Sequence, residues 1–269
     1  MGLIKWLSLI LCFSCIDMFI ETAPYNSIHF TGGSWIEFPR MEAMQMASTA
    51  NDFTLQFWVS GGDATTNEAP ALFSMVDSQK NLKLALLRDM GAHNSITTIV
   101  NDDYSQINDI DKLDWSDADN FSLISFVFSN TSALQIYVND KQQVLANADL
   151  INVGDANIML GAVANLNYSP LENYWYGYVD EIRLWNTRLA KSTIQFQAAH
   201  PDKLGEHYRY TDANGIEIDT YLDSLIGIWR FNLSDLTATI IDESGNGNDG
   251  TIYTYDGNYS IELSEKGAQ

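Results

Sequence analysis

The residues Gly177–Trp185 (GYVDEIRLW) alternate as a β-strand does, and they place one carboxylate in a row that is otherwise apolar. Side chains of a strand point to opposite faces in turn, so Asp180, Ile182 and Leu184 are expected to share one face. The opposite face would then carry Val179, Glu181, Arg183 and Trp185. An ionised side chain at the start of an apolar row needs a partner, because burial of an unpaired charge is costly.

Similar short strand patterns recur along most of the chain. The clearest is Phe53–Val59, in which four alternate apolar residues face inward and Trp58 faces the other way. Polar turns separate further candidates, and Asn139-Asp140 predicts one hairpin turn. Strands at this short spacing predict an all-β domain, and the 269 residues are enough for one large domain of that class. These further candidates are residues 71–76, 82–87, 96–100, 121–128 and 134–138.

Three segments resemble signatures of the laminin-G-like (concanavalin A-like) modules found in bacterial surface proteins. They are GYVDEIRLWNTRLAKSTI from Gly177, FTLQFWV from Phe53, and the strand Gly227-x-Trp229-x-Phe231 with the turn DESGNGNDGT from Asp242. The resemblance implies an all-β jelly-roll sandwich of two antiparallel sheets with one short helix.

The same resemblance sets the expected boundaries of the domain. It covers residues 27–255, with 200–223 as a linker or an excursion within the domain and 256–269 as a tail. Ser192 and Gln195 form a capping-box pattern, so the short helix should begin there and end near Ala199, before Pro201.

The first residues have the features of an export signal. Lys5 precedes the apolar run 6–13, which is too short to span a bilayer, and Ser14-Cys15 resembles the bacterial lipoprotein box. Residues 1–15 are therefore interpreted as a signal with lipidation at Cys15, and residues 16–26 as a tether. Simple secretion and an uncleaved anchor are the alternatives. The expected location is the cell surface or the outer membrane.

Charge limits the classes of partner. The formal net charge is −21 and the pI is near 4.2, which argues against nucleic acid and against an anionic membrane surface. Contact with a membrane is then expected through a lipid anchor only. The acidity favours cations as partners, although surface carboxylates also serve solubility alone.

Both cysteines, Cys12 and Cys15, lie in the signal, which leaves no thiol to pair, to bind zinc or to attack a substrate.

Calcium is the expected cofactor, as a structural ion, with Asp180 as the leading ligand. A carboxylate in line with Ile182 and Leu184 would be costly unless it met a cation. The alternatives are an ion pair with Arg183 or Arg230, or a cap on backbone amides. Laminin-G-like folds often hold calcium near a sheet edge, so the resemblance supports this interpretation.

A second set of oxygen ligands lies in the glycine-rich turn. Asp242, Asn246 and Asn248, with Asp249, offer carboxylate and amide oxygens at short spacing among three glycines. The alternative is turn chemistry alone, since Asn-Gly and Asp-Gly pairs favour the positive φ angles of a tight loop.

Aromatic residues supply the candidate ligand-binding surface. Tyr174, Trp175 and Tyr176 form a cluster before the Gly177 strand, and rigid aromatic rings offer faces on which sugar rings stack. Tyr178, Trp35 and Trp115 are further candidates. The alternative is that these rings pack beneath a loop.

Catalysis is not indicated. Concanavalin A-like glycoside hydrolases place Glu-x-Asp-x-x-Glu along one strand, and Glu217-Ile218-Asp219 matches only its first part, with Leu222 where the last acid belongs. The four histidines do not have the spacing of a catalytic triad or of a zinc site.

The expected function is that of an exported, non-catalytic module for adhesion or for binding a glycan or cell-surface polysaccharide. A hydrolase with an unrecognised site and a purely structural surface protein are the alternatives.

Overall fold

The computed structural model describes thirteen stretches of the chain. The predicted signal, Cys15 and the tether lie outside them. The described stretches are residues 27–39, 52–62, 69–79, 81–89, 93–101, 103–129, 132–143, 156–163, 173–201, 209–233, 236–255, 257–258 and 261–268.

These residues form β-strands and one α-helix, α1, at Lys191–Ala199. No helix in the described stretches is long and apolar enough to cross a membrane. In chain order the strands are β1 Ser27–Thr31, β2 Ser34–Phe38, β3 Phe53–Gly61, β4 Ala71–Val76, β5 Leu82–Arg88, β6 Ile96–Val100, β7 Asp103–Ile107, β8 Ser122–Ser129, β9 Ser132–Val138, β10 Lys141–Gln143, β11 Asn157–Leu160, β12 Tyr176–Trp185, β13 Arg209–Thr211, β14 Glu217–Asp219, β15 Leu225–Arg230, β16 Thr239–Ile240, β17 Gly250–Thr254 and β18 Ile261–Ser264.

The strands build two large antiparallel sheets, which confirms the predicted all-β sandwich. The first sheet has the order β10-β9-β8-β3-β12-β1-β18, and β15 also pairs with β12. The second sheet has the order β16-β17-β2-β11-β4-β5-β6-β7. Strands β13 and β14 form a separate hairpin within the predicted excursion at 200–223. The predicted turn at Asn139-Asp140 joins β9 to β10, with Asn139 at φ 52°.

Alternation along the strands fills the space between the two sheets with aromatic and aliphatic side chains. Phe57 of β3 packs on Phe73 of β4 with ring centroids 4.7 Å apart, and Phe126 of β8 meets the Phe73 ring edge-on at 5.0 Å. All three rings are fully buried. Each sheet therefore has an inner face on this core and an outer face directed away from it.

A β-bulge in β12 corrects one prediction about Asp180. The pairing of β12 with β3 shifts register between Val179 and Ile182, and both of these residues lie in the core between the sheets. A bulge inserts an extra residue, so the alternation of faces restarts after it. Asp180 consequently lies on the outer face and not in the row of Ile182 and Leu184. The sequence pattern could not show this, because it assumes a regular period of two.

The helix α1 lies over the outer face of the first sheet. Its Ile194 packs with Trp185 of β12 and Tyr137 of β9 in a second buried cluster. The predicted helix is confirmed, but the predicted capping box is wrong. The N-cap is Ala190 and makes no side-chain cap hydrogen bond, because the helix begins one residue before Ser192.

The C-terminal residues also differ from the prediction. Residues 256–269 were expected to be a tail, yet β18 pairs antiparallel with β1 and completes that edge of the first sheet. Ile261 is buried in the core, and Ala268 is buried against Trp58 and Leu123 on the outer face. An unpaired edge of β1 would leave its backbone hydrogen-bonding groups without partners, and β18 supplies them.

Candidate functional site

Trp175, the centre of the predicted aromatic cluster, is a core residue. Its side chain has no exposed surface and meets the Trp115 ring edge-on, with centroids 5.5 Å apart. The Trp175 amide donates to the Gly161 carbonyl over 2.8 Å, which holds this segment where the chain passes to β12. Position 177, close after Trp175, requires glycine, because a Cβ added there would lie 2.6 Å from the Ser60 carbonyl oxygen. The prediction that Trp175 presents a surface to ligand is therefore wrong.

The two tyrosines that flank Trp175 reach different parts of the surface. Tyr176 lies against Gly32, where an added Cβ would be 2.4 Å from the Tyr176 hydroxyl oxygen. Tyr174 instead approaches Trp35, with ring centroids 6.4 Å apart. Tyr174 and Tyr176 therefore do not form one surface, although the sequence places them two residues apart.

Four aromatic side chains gather on the outer side of the second sheet, and we call them the aromatic face: Trp35, Tyr174, Tyr253 and Tyr255. Trp35 on β2 pairs in register with Tyr253 on β17, and their rings are 5.7 Å apart and inclined by 16°. Tyr253 is 42% exposed and Tyr255 is 66% exposed. Sequence analysis singled out Trp35 and Tyr174 but missed Tyr253 and Tyr255. Their alternation with buried Ile252 is the signal that could have found them.

Polar groups accompany these rings. The Trp35 Nε1–H donates to Glu37 Oε1 over 2.9 Å, which fixes the indole on the strand. Burial raises the pKa of the Tyr174 hydroxyl, and the nearby Tyr255 raises it further. The Tyr174 hydroxyl is buried and has no hydrogen-bond partner among the described residues. The aromatic face thus combines exposed rings with one polar group that lacks a partner.

Asp180 is a cap on a backbone amide. The side chain is 7% exposed, and Oδ2 accepts a 2.7 Å hydrogen bond from the Ala268 amide. Burial raises the pKa of this carboxyl to about 7. The neighbouring Glu181 takes the ion pairs with Arg183 and Arg230. The guanidinium groups of Arg183 and Arg230 lie near the Asp180 carboxyl, and their positive charge repels a further cation there.

The glycine-rich turn is held by its own hydrogen bonds. Asp242 is buried, and its carboxylate accepts from the backbone amides of Ile228, Ser244 and Asn248 over 2.9–3.1 Å. Asn246 and Asn248 each donate to the Ile226 carbonyl. These contacts match the turn chemistry that was the alternative to a metal site. No group of three His, Cys, Asp or Glu side chains suited to a metal occurs in the described stretches.

The partial hydrolase motif lies apart from both large sheets. Glu217 and Asp219 flank buried Ile218 on the β13–β14 hairpin, and both are exposed. Glu217 pairs with Arg209 at 3.3 Å, while Asp219 accepts from the Tyr221 amide at 2.8 Å. Both carboxylates thus have local structural partners.

Two facing antiparallel sheets with one short helix define a jelly roll of the concanavalin A type. The chain belongs to the concanavalin A-like lectin/glucanases superfamily, whose family model matches residues 30–195. No curated protein matches the sequence.

Comparison with solved structures finds similar domains at low sequence identity. A presumptive carbohydrate-binding protein from Bacteroides ovatus matches 89% of this chain with a TM-score of 0.56 and 12% identity, and the match spans 59% of that protein. A SAP-like pentraxin from Limulus polyphemus matches 87% of this chain and 97% of its own, with a TM-score of 0.47 and 11% identity. The CBM40 of a Ruminococcus gnavus sialidase, bound to sialyllactose, matches 64% of this chain and 96% of its own, with a TM-score of 0.49 and 10% identity.

Replacing the core indole tests the placement of Trp175. The Trp175→Ala variant should lose about 3 to 5 kcal/mol of unfolding free energy, because it removes a fully buried ring and leaves a cavity beside Trp115. Urea denaturation measures the loss. Tyr104→Ala, at a 72% exposed tyrosine on β7, is the matched control and should change stability by about 0.5 kcal/mol or less. Equal, small losses in both variants would show that Trp175 is not in the core.

Asp180 should make stability depend on pH. The folded-state pKa lies near 7 and the unfolded value near 3.8. Between these values the unfolded chain loses its proton first, so ionisation of Asp180 lowers stability as the pH rises from about 4 to 7. Asp180→Asn cannot ionise and should escape this loss, which is about 4 kcal/mol at most because one pKa unit corresponds to about 1.4 kcal/mol.

The measurement is the difference in unfolding free energy between Asp180→Asn and the unchanged protein at pH 4 and at pH 8. The variant should gain relative stability at pH 8. A difference that is the same at both pH values, or that favours the unchanged protein more at pH 8 than at pH 4, would contradict the assignment.

Proposed function

We propose that this chain is a carbohydrate-binding module that binds a glycan on the aromatic face. The observation that supports it is the pair of exposed rings at Tyr253 and Tyr255, with the half-buried rings of Trp35 and Tyr174 beside them. Rigid aromatic rings cover the apolar faces of sugars and lose little conformational freedom on binding. A group of exposed aromatic rings on a folded domain commonly marks a binding surface.

The polar groups at the aromatic face suit the hydroxyls of a sugar. The buried Tyr174 hydroxyl has no partner among the described residues, and an unpaired buried hydroxyl costs about 1 to 3 kcal/mol. A sugar hydroxyl that paired with it would offset this cost. Glu37 already accepts from Trp35, and its carboxylate has room for a further donor. The face thus offers both stacking and hydrogen bonding.

The comparisons agree with this proposal. The superfamily includes lectins by its name, and the structure from Bacteroides ovatus carries the name of a presumptive carbohydrate-binding protein. The net charge of −21 favours a neutral glycan over an acidic one, because like charges repel at the surface.

We propose binding without cleavage. A retaining glycosidase needs two carboxyl groups about 5 to 5.5 Å apart, with one of them kept protonated. The nearest sequence match, Glu217 and Asp219, lies on an exposed hairpin, and its carboxylates pair with Arg209 and the Tyr221 amide. A glycoside hydrolase with another site is the second candidate, since the superfamily also includes glucanases.

Export, the lipid at Cys15, the role in adhesion and the calcium ion remain proposals that rest on the sequence. Ser14-Cys15 lies outside the described residues, and Asp180, Asp242, Asn246 and Asn248 make hydrogen bonds that need no cation. A Cys15→Ser variant that moves from the detergent phase to the aqueous phase would support the anchor.

The aromatic face can be tested by affinity electrophoresis in gels that contain polysaccharide. Tyr253→Ala should weaken retention about tenfold or more, as expected when a central aromatic contact is removed. Tyr104→Ala is the matched control, since Tyr104 is a 72% exposed tyrosine on the far edge of the same sheet. Equal retention of both variants would exclude the aromatic face. Release of reducing sugar by the unchanged protein would instead favour the hydrolase.

Calcium can be tested by a thermal melt with and without chelator. A cation that binds only the folded state at about a hundred times its Kd adds about 2.7 kcal/mol of stability. If the domain binds calcium, chelation lowers the melting temperature and added calcium restores it. A melt that chelator does not change would remove calcium from the proposed function.

A further inference from the structure

A groove runs along the outer face of the first sheet, on the side of the sandwich opposite the aromatic face. We call it the outer groove. It consists of two cavities of about 570 and 560 Å³ that share Trp58, Asn120 and Phe121 as lining residues. The C-terminal residues 265–268 line one cavity, and the end of α1 with the Asn139-Asp140 turn lines the other.

Trp58 supplies the observation that points to a ligand. It alternates with the core residues Phe57 and Val59 and so lies on the outer face, where it is only 5% exposed. Its indole Nε1–H is buried and has no acceptor among the described residues. Trp175 and Trp185 also lack an acceptor, but Trp58 is the one of the three that lines these cavities. A buried donor without an acceptor is costly, and a bound acceptor would relieve that cost.

Amide side chains line the outer groove beside the rings of Trp58 and Phe121, and hydrogen bonds hold these amides in place. Gln195 of α1 donates to the Asp140 carbonyl over 3.2 Å, and Asn120 donates to the Lys112 carbonyl over 3.3 Å. Asn139 accepts from the Leu123 amide over 2.9 Å. Their remaining amide capacity can serve a ligand that both donates and accepts hydrogen bonds. The groove thus pairs preformed polar groups with aromatic surface.

The charges at the outer groove favour an uncharged ligand. Lys266 pairs with Asp119 at 2.7 Å, and Lys141 pairs with Asp140 at 3.4 Å. The remaining charged lining residues, Glu265 and Lys112, have opposite signs, so the groove has no excess of one sign and an ionic ligand would find no strong complementary field. Rings, amides and paired charges together suit a neutral, hydroxyl-bearing ligand.

We propose that the outer groove is a second glycan-binding site, which takes a neutral sugar chain with Trp58 Nε1–H as a donor to a sugar oxygen. The choice of ligand class rests on the proposed function of the aromatic face. Because the two sites lie on opposite outer faces of the sandwich, one chain can hold two glycan strands at once. The module then cross-links polysaccharide as well as binding it.

Indole N–H signals in proton–nitrogen NMR spectra can report the two sites separately. The chain has seven tryptophans, and the variants Trp58→Phe and Trp35→Phe assign the two relevant signals by their loss. The probes are neutral oligosaccharides of glucose, xylose, mannose, galactose or arabinose, each titrated into the unchanged protein. At least one probe should shift the Trp58 signal, and its Kd can be compared with that of the Trp35 shift.

The outcomes separate this inference from the proposed function. A probe that shifts Trp35 but never Trp58 overturns the second site and leaves the aromatic face intact. A probe that shifts Trp58 alone supports the outer groove and counts against the aromatic face. If no probe moves Trp58, the outer groove is not a site for neutral glycans.

A variant in the groove completes the test. Phe121→Ala should weaken the titration seen at Trp58 about tenfold or more and leave the titration seen at Trp35 unchanged. Tyr104→Ala, outside both sites, should change neither. Should Phe121→Ala weaken both titrations equally, the effect is on the fold and the shift at Trp58 does not report a separate site.

Discussion

The pairing of β12 with its neighbours is the constraint on which both outer surfaces depend. β12 pairs with β3 along one edge and with β1 and β15 along the other, so it lies at the centre of the first sheet. The bulge after Val179 lets Ile182 return to the core while Asp180 turns outward to the Ala268 amide. That contact holds the C-terminal residues on the outer face, where they form one wall of the outer groove.

Strict alternation decides which aromatic rings are core and which are surface. Trp35 lies outside because Ile36 lies inside, and Trp58 lies outside because Phe57 and Val59 lie inside. Trp175 points into the core, so the side chain of its neighbour Tyr174 points the other way and is half-buried. The surface chemistry of this module thus follows from the packing of its interior.

The sequence was sufficient for the fold but not for the site. Regular strand spacing and three family signatures predicted the sandwich, and the period of two placed Trp58 opposite its neighbours. The aromatic face joins Trp35 and Tyr253 through strand register, and Tyr174 reaches Trp35 from the residues that precede β12, so the face links positions far apart in the chain. A local pattern shows which face a residue occupies but not which distant strand it pairs with or at which residue. The bulge beside Asp180 was hidden for a related reason, since it depends on how β12 pairs and not on β12 alone.

The most direct measurement is a crystal structure of the module with a neutral oligosaccharide that it retains in a gel. The central claim predicts a sugar ring in contact with Trp35 and Tyr253, with a sugar hydroxyl within hydrogen-bond distance of the Tyr174 hydroxyl. A bound sugar that left the aromatic face empty would contradict the account.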